Sequence, residues 1–209
     1  FLVGRYQLNY TGNVNYYRIM HDVEEASNPG TGKNTVSDAR KRAAAKALGL
    51  GAKAEKITNS TNATLKKGSG ANGTVAKAYL VWETRSKKGA TASVALVRPD
   101  GTAKKVKAAY AAKDVRGCNK KENGVFTKEF DWKYSTMYTA YADVTSFVQA
   151  DASPYGTYSV CNLPIWKYGE AGGEGLGESI SAWQLVIVEE GDALPIRAVQ
   201  LGIGAVFNQ

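Results

Sequence analysis

The sequence predicts an all-β protein: an antiparallel β-sandwich of the jelly-roll or immunoglobulin-like kind, with one short surface helix. Short runs rich in Val, Tyr and Thr recur along the 209 residues, separated by Gly, Pro, Asn and Asp. Only one segment has the composition of a stable helix, and no alternation of strands with helices supports a parallel α/β sheet. We therefore expect a single sandwich domain over residues 1–209, with a helix-bearing insertion at about 37–50.

The first third of the chain contains two predicted strands, a loop and the helix. Residues 2–10 alternate, which places Leu2, Tyr6, Leu8 and Tyr10 on one face of a strand. Residues 13–23 form a second strand candidate, and the Asn, Pro and Gly of SNPGTGKNT predict a loop. The helix is SDARKRAAAKAL, with Ser37 as a natural N-cap. Because its apolar side is mostly alanine, we expect it to lie on the surface.

The rest of the chain reads as strands joined by turns. Asp100-Gly101 is a favoured hairpin dipeptide. In YADVTSFVQA the side chain of Asp143 can accept the backbone N–H of Thr145 or Ser146, which predicts a structural cap on one short helical turn and no chemical site. The strand candidates are residues 61–65, 75–85, 90–99, 103–112, 125–134, 137–144, 156–164, 182–190 and 196–207.

Charge and motif content argue against nucleic-acid recognition and catalysis. The net charge of +8 comes from basic residues at 33–67 and 104–133, while the last forty residues lean acidic. A solvated basic face explains this better than a polyanion-binding face, and no nucleic-acid-binding signature is present. The loop GTGKNT departs from the phosphate-loop pattern, and His21 is the single histidine. We predict no enzyme activity, no cofactor and no metal site. No apolar run is long enough to span a bilayer.

Two covalent cross-links stay open at this stage. Cys118 and Cys161 are disulfide candidates if the protein is extracellular, and otherwise two unpaired thiols, one of them buried in a strand. An intramolecular Lys–Asn isopeptide bond with Asn208 as acceptor is conceivable, but no lysine partner can be chosen.

Several segments, in order, resemble one family of β-sandwich domains from large secreted or wall-anchored bacterial surface proteins and adhesins. They are ITNSTNATL, AKAYLVWE, SVALVRPDGT, YADVTSFVQA, GTYSVCNLP, AWQLVIVEE and LPIRAV. The family patterns are AxLYW, ADVTxxV, GTYTV and GWSLVVVYE…LPLRNV, and the resemblance covers roughly residues 57–201. Ala182 replaces the usual Gly before Trp183, GIGAVFNQ stands in place of the DGF-like segment that often follows the family's last motif, and residues 1–56 have no counterpart. The resemblance implies an extracellular, cell-surface location and no catalytic residues.

Two function classes follow. The first is a non-enzymatic structural or adhesive surface protein, the subunit of a pilus-like fibre that self-associates into a homopolymer by strand addition. The donated strand would carry Leu2, Tyr6, Leu8 and Tyr10, and host or matrix glycans or proteins would be further partners. The alternative is a carbohydrate-binding module, whose stacking candidates are Trp132, Tyr134, Trp166 and Tyr168.

Overall fold

Two antiparallel sheets face each other across one apolar core, which confirms the predicted all-β sandwich. A computed structural model describes residues 2–20, 23–25, 35–57, 59–86, 93–113, 120–122, 125–127, 136–163 and 179–202. The strands are β1 (Leu2–Met20), β2 (Val23–Glu25), β3 (Ser60–Leu65), β4 (Val75–Ser86), β5 (Val94–Val97), β6 (Ala103–Val106), β7 (Tyr110–Lys113), β8 (Lys120–Glu122), β9 (Val125–Thr127), β10 (Thr136–Asp143), β11 (Gly156–Cys161), β12 (Ser179–Glu190) and β13 (Ile196–Val199). The helices are α1 (Asp38–Leu48) and α2 (Thr145–Gln149), with a 3₁₀ turn at Ala54–Lys56.

The large sheet has the strand order β13-β1-β12-β4-β10-β7, with β2 paired to the far end of β1. The small sheet has the order β3-β11-β5-β6, and β8 and β9 form a separate pair. Facing rows of apolar side chains fill the space between the sheets. Leu80, Trp82 and Leu185 from the large sheet meet Leu96 and Tyr158 from the small one, and all five are fully buried. The sandwich is thus held by apolar burial from both sheets.

Helix α1 lies on the outer face of the small sheet. Ala44 and Ala45 are fully buried there against Val97 and Cys161, in an apolar cluster separate from the sandwich core. Alanine allows the helix to approach the sheet closely, and Gly49 ends it in the left-handed conformation (φ 78°). The molecule therefore has three layers at this point: helix, small sheet and large sheet.

Strand β1 differs from the prediction, because the two predicted N-terminal strands are one continuous strand of 19 residues. Residues 6–17 pair with β12 without a break at Gly12. A side chain on Gly12 would collide with the backbone carbonyl of Trp183 in β12. Glycine is therefore required at this position by close packing of two backbones, and it does not mark a turn.

The predicted strand at 103–112 is divided between the two sheets. Residues Ala103–Val106 form β6 in the small sheet, and Tyr110–Lys113 form β7 in the large sheet. The hairpin before β6 turns at Asp100-Gly101 as predicted, with Gly101 at φ 87°. The chain thus crosses from one layer to the other within residues 107–109.

Candidate functional site

The two ends of the described chain meet in a two-stranded ribbon, which we call the terminal ribbon: Leu2–Arg5 of β1 paired with β13. Val3 is 62% exposed and Ile196 is 68% exposed, and the cross-strand register places both on the same face of the ribbon. Among the described residues, β13 pairs with β1 alone, so its other edge carries no strand. An open edge next to exposed apolar side chains is a site at which another chain can add a strand.

The opposite face of the ribbon turns toward the large sheet and closes a groove of about 410 Å³. Leu2, Val199, Gln200 and Leu201 line its ribbon side; the residues on its sheet side are Lys77, Tyr79, Tyr141 and Val188. The Tyr79 and Tyr141 ring centroids lie 6.4 Å apart with an interplanar angle of 68°, an edge-to-face pair. Lys77 Nζ lies 3.6 Å from Asp143 Oδ2. The groove lining thus combines two aromatic rings with Lys77, whose charge is balanced by Asp143 just outside the lining.

Strand β1 turns its apolar face outward between Leu8 and Val14. Leu8 is 47% exposed, Tyr10 is 68% exposed and Val14 is 41% exposed. The inward face carries Asn9 and Asn13 instead, which reach the small sheet. Most amphipathic strands bury their apolar face, so the arrangement of β1 leaves an apolar stripe on the outer surface.

The two asparagines join the edges of the two sheets. Asn9 Nδ2 donates to the Lys66 carbonyl and Asn13 Nδ2 donates to the Asn62 carbonyl, each at 2.7 Å. Their Oδ1 atoms accept the backbone N–H groups of Tyr10 and Val14. These bonds occupy donors of β1 and tie its central part to β3. Two backbone donors in the middle of β1 are thus engaged by its own side chains, whereas the outer edge of β13 carries no strand among the described residues.

Glu189 is a fully buried carboxylate at the same end of the sandwich. Its oxygens accept hydrogen bonds from Gln7 Nε2 and Asn9 Nδ2, both at 3.0 Å. Gly68 packs so closely that a side chain there would collide with Glu189 and Gln7. Burial, together with the neighbouring Glu189 carboxylate, raises the pKa of Tyr155. Because both carboxylate oxygens are engaged by side chains of β1, Glu189 acts as a hydrogen-bond acceptor that orders β1, β12 and the loop after β3.

The predicted strand-donation residues lie within the chain's own large sheet. Leu2 belongs to the terminal ribbon, and Tyr6, Leu8 and Tyr10 pair with Glu190, Val188 and Val186 of β12. All four lie on the outer face of β1, as the alternation predicts. Their donation to a neighbouring subunit stays a prediction. In the isolated chain they are ordinary members of a paired strand.

Asp143 Oδ1 accepts the Thr145 N–H at 2.8 Å, the hydrogen bond that the sequence predicts. The helix begins at Thr145, so Asp143 stands one position before the formal N-cap, Val144. Burial alone would raise the pKa of Asp143, but the hydrogen bonds from Thr145 and the charge of Lys77 lower it. Phe147 and Val148 of the short helix α2 are buried. Asp143 therefore stabilises the turn between β10 and α2, and it also forms an ion pair with Lys77 at the rim of the groove.

Cys161 is a free thiol that is fully buried beneath α1, where burial raises its pKa to about 12. The structure therefore contains no disulfide at Cys161, in agreement with the alternative of an unpaired thiol buried in a strand. The candidate partner Cys118 lies outside the described residues. The same holds for the stacking candidates Trp132, Tyr134, Trp166 and Tyr168, and for His21 and Asn208, all outside the described residues. Within the described ranges, no group of three or more His, Cys, Asp or Glu is placed to hold a metal ion, and no helix has the length and apolarity to cross a membrane.

Sequence reasoning missed the ribbon and the groove. Lys77, Tyr79 and Val81 share one face of β4, while Ala78, Leu80 and Trp82 on the other face are fully buried. A strand that is largely apolar on both faces indicates that something covers its second face. That signal was available in VAKAYLVWETR, but the covering residues, near both chain ends, could not be identified from it.

The fold defines the class of the protein: an antiparallel β-sandwich with a helix on its small sheet and a ribbon of both chain ends on its large one. No protein family, curated protein sequence or solved structure matches the chain.

Proposed function

We propose that this chain is a non-enzymatic structural or adhesive protein of the cell surface that self-associates into a pilus-like fibre. The observation that carries this proposal is the terminal ribbon, whose outer strand β13 has an open edge within the described structure. Strand addition at such an edge supplies main-chain hydrogen bonds, and neighbouring apolar side chains supply affinity. The extracellular location rests on the sequence resemblance to bacterial surface sandwiches.

The distribution of exposed apolar side chains supports the same surface. Seven large apolar residues of the described structure are strongly exposed, and six of them belong to β1, to β13 or to the residues just after β13: Val3, Leu8, Tyr10, Val14, Ile196 and Leu201. Scattered exposure is normal on a monomer, but concentration along two neighbouring strands is typical of an interaction surface. Val3 and Ile196 lie on one face of the ribbon, whereas Leu8, Tyr10 and Val14 lie on the other face of β1, so exposed apolar residues flank the ribbon on both faces. The subunit contact is assigned to the edge of β13 and to the ribbon face that carries Val3 and Ile196.

Sedimentation velocity and negative-stain electron microscopy of the purified chain, over a series of protein concentrations, test the proposal. We expect filaments or a ladder of oligomers that grow with concentration. Ile196→Lys and Val3→Lys place a charge on the exposed face of the ribbon and should leave a folded monomer, because burying an unpaired charge in a contact is costly. Leu50→Lys is the matched control: Leu50 is 40% exposed but follows α1, away from the ribbon.

A wild-type protein that stays monomeric at every concentration would rule out the fibre. Equal loss of assembly in Leu50→Lys and Ile196→Lys would assign the effect to net charge and not to the ribbon. Removing residues 1–10 is an unsuitable test, since residues 6–10 pair with β12 and their loss would expose a central strand of the sheet.

A further inference from the structure

The groove beneath the terminal ribbon has the size and the lining of a small-molecule site. Its volume of about 410 Å³ falls in the range of roughly 300 to 1,000 Å³ that such sites occupy. The apolar residues of the ribbon face aromatic residues of the sheet across it. We propose that this groove binds a neutral carbohydrate.

The aromatic part of the groove suits the C–H face of a sugar ring. Tyr79 and Tyr141 stand edge to face, so their ring planes differ by 68° and form a corner. The face of an aromatic ring carries negative charge density, which attracts weakly positive C–H groups. A pyranose ring presents several C–H bonds on one side, and it can pack on one tyrosine while its edge meets the other. Leu2 and Leu201 close the opposite side of the groove.

Lys77 in the lining, with Asp143 beside it at the rim, favours a neutral ligand with many hydroxyl groups. Lys77 and Asp143 are 3.6 Å apart, and their side chains are 41% and 49% exposed, so both still have room for further hydrogen bonds. A hydroxyl can donate to the carboxylate and accept from the ammonium group, and such charge-assisted bonds are stronger than neutral ones. Because the pair has no net charge, it favours neither anions nor cations. A purely apolar ligand would cover the pair without replacing its water, at a cost in free energy.

This site goes beyond self-association and does not depend on it. The residues that carry the sugar contacts, Lys77, Tyr79 and Tyr141, belong to β4 and β10, whereas the proposed subunit contact uses the opposite face of the ribbon, with Val3 and Ile196. A substitution on β4 can therefore remove ligand binding and leave assembly intact. The two proposals fail independently.

Titration of the full chain with neutral oligosaccharides tests the site. The probes are cellotetraose, maltotetraose, xylotetraose and galactotetraose, with polygalacturonate oligomers as an acidic comparison, followed by calorimetry and by amide chemical shifts. We expect binding of at least one neutral probe and a loss of affinity of about tenfold or more in Tyr79→Ala and in Lys77→Met. Tyr10→Ala is the control, because Tyr10 is a 68% exposed tyrosine on the same face of the sheet and does not line the groove.

The two variants distinguish loss of the binding site from loss of folding. Lys77→Met keeps the aliphatic stem and should fold normally, so a loss of binding in Lys77→Met, with an unchanged unfolding curve, supports the site even if Tyr79→Ala is destabilised. Failure of every neutral probe to bind the folded chain overturns the proposal. So does a preference for the acidic oligomers, or a loss of affinity in Tyr10→Ala equal to that in Lys77→Met.

Discussion

The Nε atom of Arg40 lies 2.7 Å from the Oγ atom of Ser159, which joins helix α1 to the centre of the small sheet. The same guanidinium donates to the carbonyls of Thr157, Val97 and Arg98, the last at 2.8 Å. One cation thus satisfies acceptors from two neighbouring strands and the following turn. Burial lowers the pKa of Arg40, an effect that the Cys161 and Asp100 groups oppose. Arg40 is the polar anchor of a helix whose other contacts are mostly alanine.

Replacing Arg40 should weaken the attachment of α1. Arg40→Met removes every one of these donors and leaves buried carbonyl groups unsatisfied, so we expect a loss of about 2–3 kcal/mol in the free energy of unfolding. Urea denaturation followed by circular dichroism measures it. Arg42→Met, an exposed arginine two residues further along the same helix, should change stability by less than about 0.5 kcal/mol. Equal effects of the two substitutions would contradict the anchoring role.

Alkaline pH should destabilise the protein through its buried thiol. The folded pKa of Cys161 is raised from 9.0 to about 12 by burial, and burial also raises the pKa of Tyr158. Because the pKa of each group is higher in the folded state, the unfolded chain loses the thiol or phenol proton at a lower pH than the folded chain does. The free energy of unfolding should therefore be flat below pH 9 and fall as the pH rises from there toward 12, by an amount on the order of 2–4 kcal/mol.

The measurement is a series of denaturation curves between pH 7 and pH 11 in the presence of a reductant. Cys161→Ala should flatten the first part of the decline and leave the later part, which Tyr158 contributes. A decline of the same size and onset in Cys161→Ala would show that the thiol does not cause it.

Acid should release the turn at Asp100. Although burial alone would raise the pKa of Asp100, hydrogen bonds from Arg98 and Thr102 lower it below 3.8. Its contribution to stability is present above pH 3.8 and is lost as the pH falls through the lowered value. Asp100→Asn should be less stable than wild type at pH 7 and should show a weaker dependence on pH below pH 4. Asp192→Asn, which replaces an exposed carboxylate outside this turn, should change stability at pH 7 by less than about 0.5 kcal/mol. A loss in Asp192→Asn equal to that in Asp100→Asn would contradict the role of the Asp100 turn.

Adding a methyl group at Gly12 should separate two strands of the large sheet. The new Cβ of Gly12→Ala would collide with the Trp183 carbonyl, which belongs to the backbone and cannot rotate away. We expect a loss of about 1–3 kcal/mol, the usual cost of overpacking. Gly202→Ala is the control, since a Cβ there meets no atom within 4 Å. Amide hydrogen exchange of β12 in Gly12→Ala should increase most near Trp183; unchanged exchange would contradict the collision.

Local chemistry allowed several parts of the structure to be predicted from the sequence. The helix between Ser37 and Gly49, the turn at Asp100-Gly101 and the Asp143–Thr145 hydrogen bond depend on residues that are neighbours in the chain. Ser37 occupies the predicted N-cap position, although its side chain makes no capping hydrogen bond. Short-range preferences of this kind hold before any tertiary contact forms. The repetition of short strands was enough to predict an all-β sandwich.

The alternation of apolar and polar residues in β1 predicted that its two faces differ, but it could not predict which face is covered by the rest of the protein. The structure turns the half-buried Asn9 and Asn13 toward the small sheet and exposes Leu8 and Tyr10, because Asn62 and Lys66 offer carbonyl acceptors to the asparagines. The same limit applies to residues 103–112, which the sequence presents as one strand and the structure divides between two sheets.

The sequence by itself determined the strands, the helix and the tight turns, since these depend on contacts between residues close in the chain. The tertiary structure alone decided that Leu2 and Val199, from opposite ends of the chain, pair in one ribbon, and that this ribbon stands over Tyr79 and Tyr141 to form a groove. Pairing between residues nearly 200 positions apart depends on how the assembled sheets pack together, and a local sequence pattern contains no information about that packing.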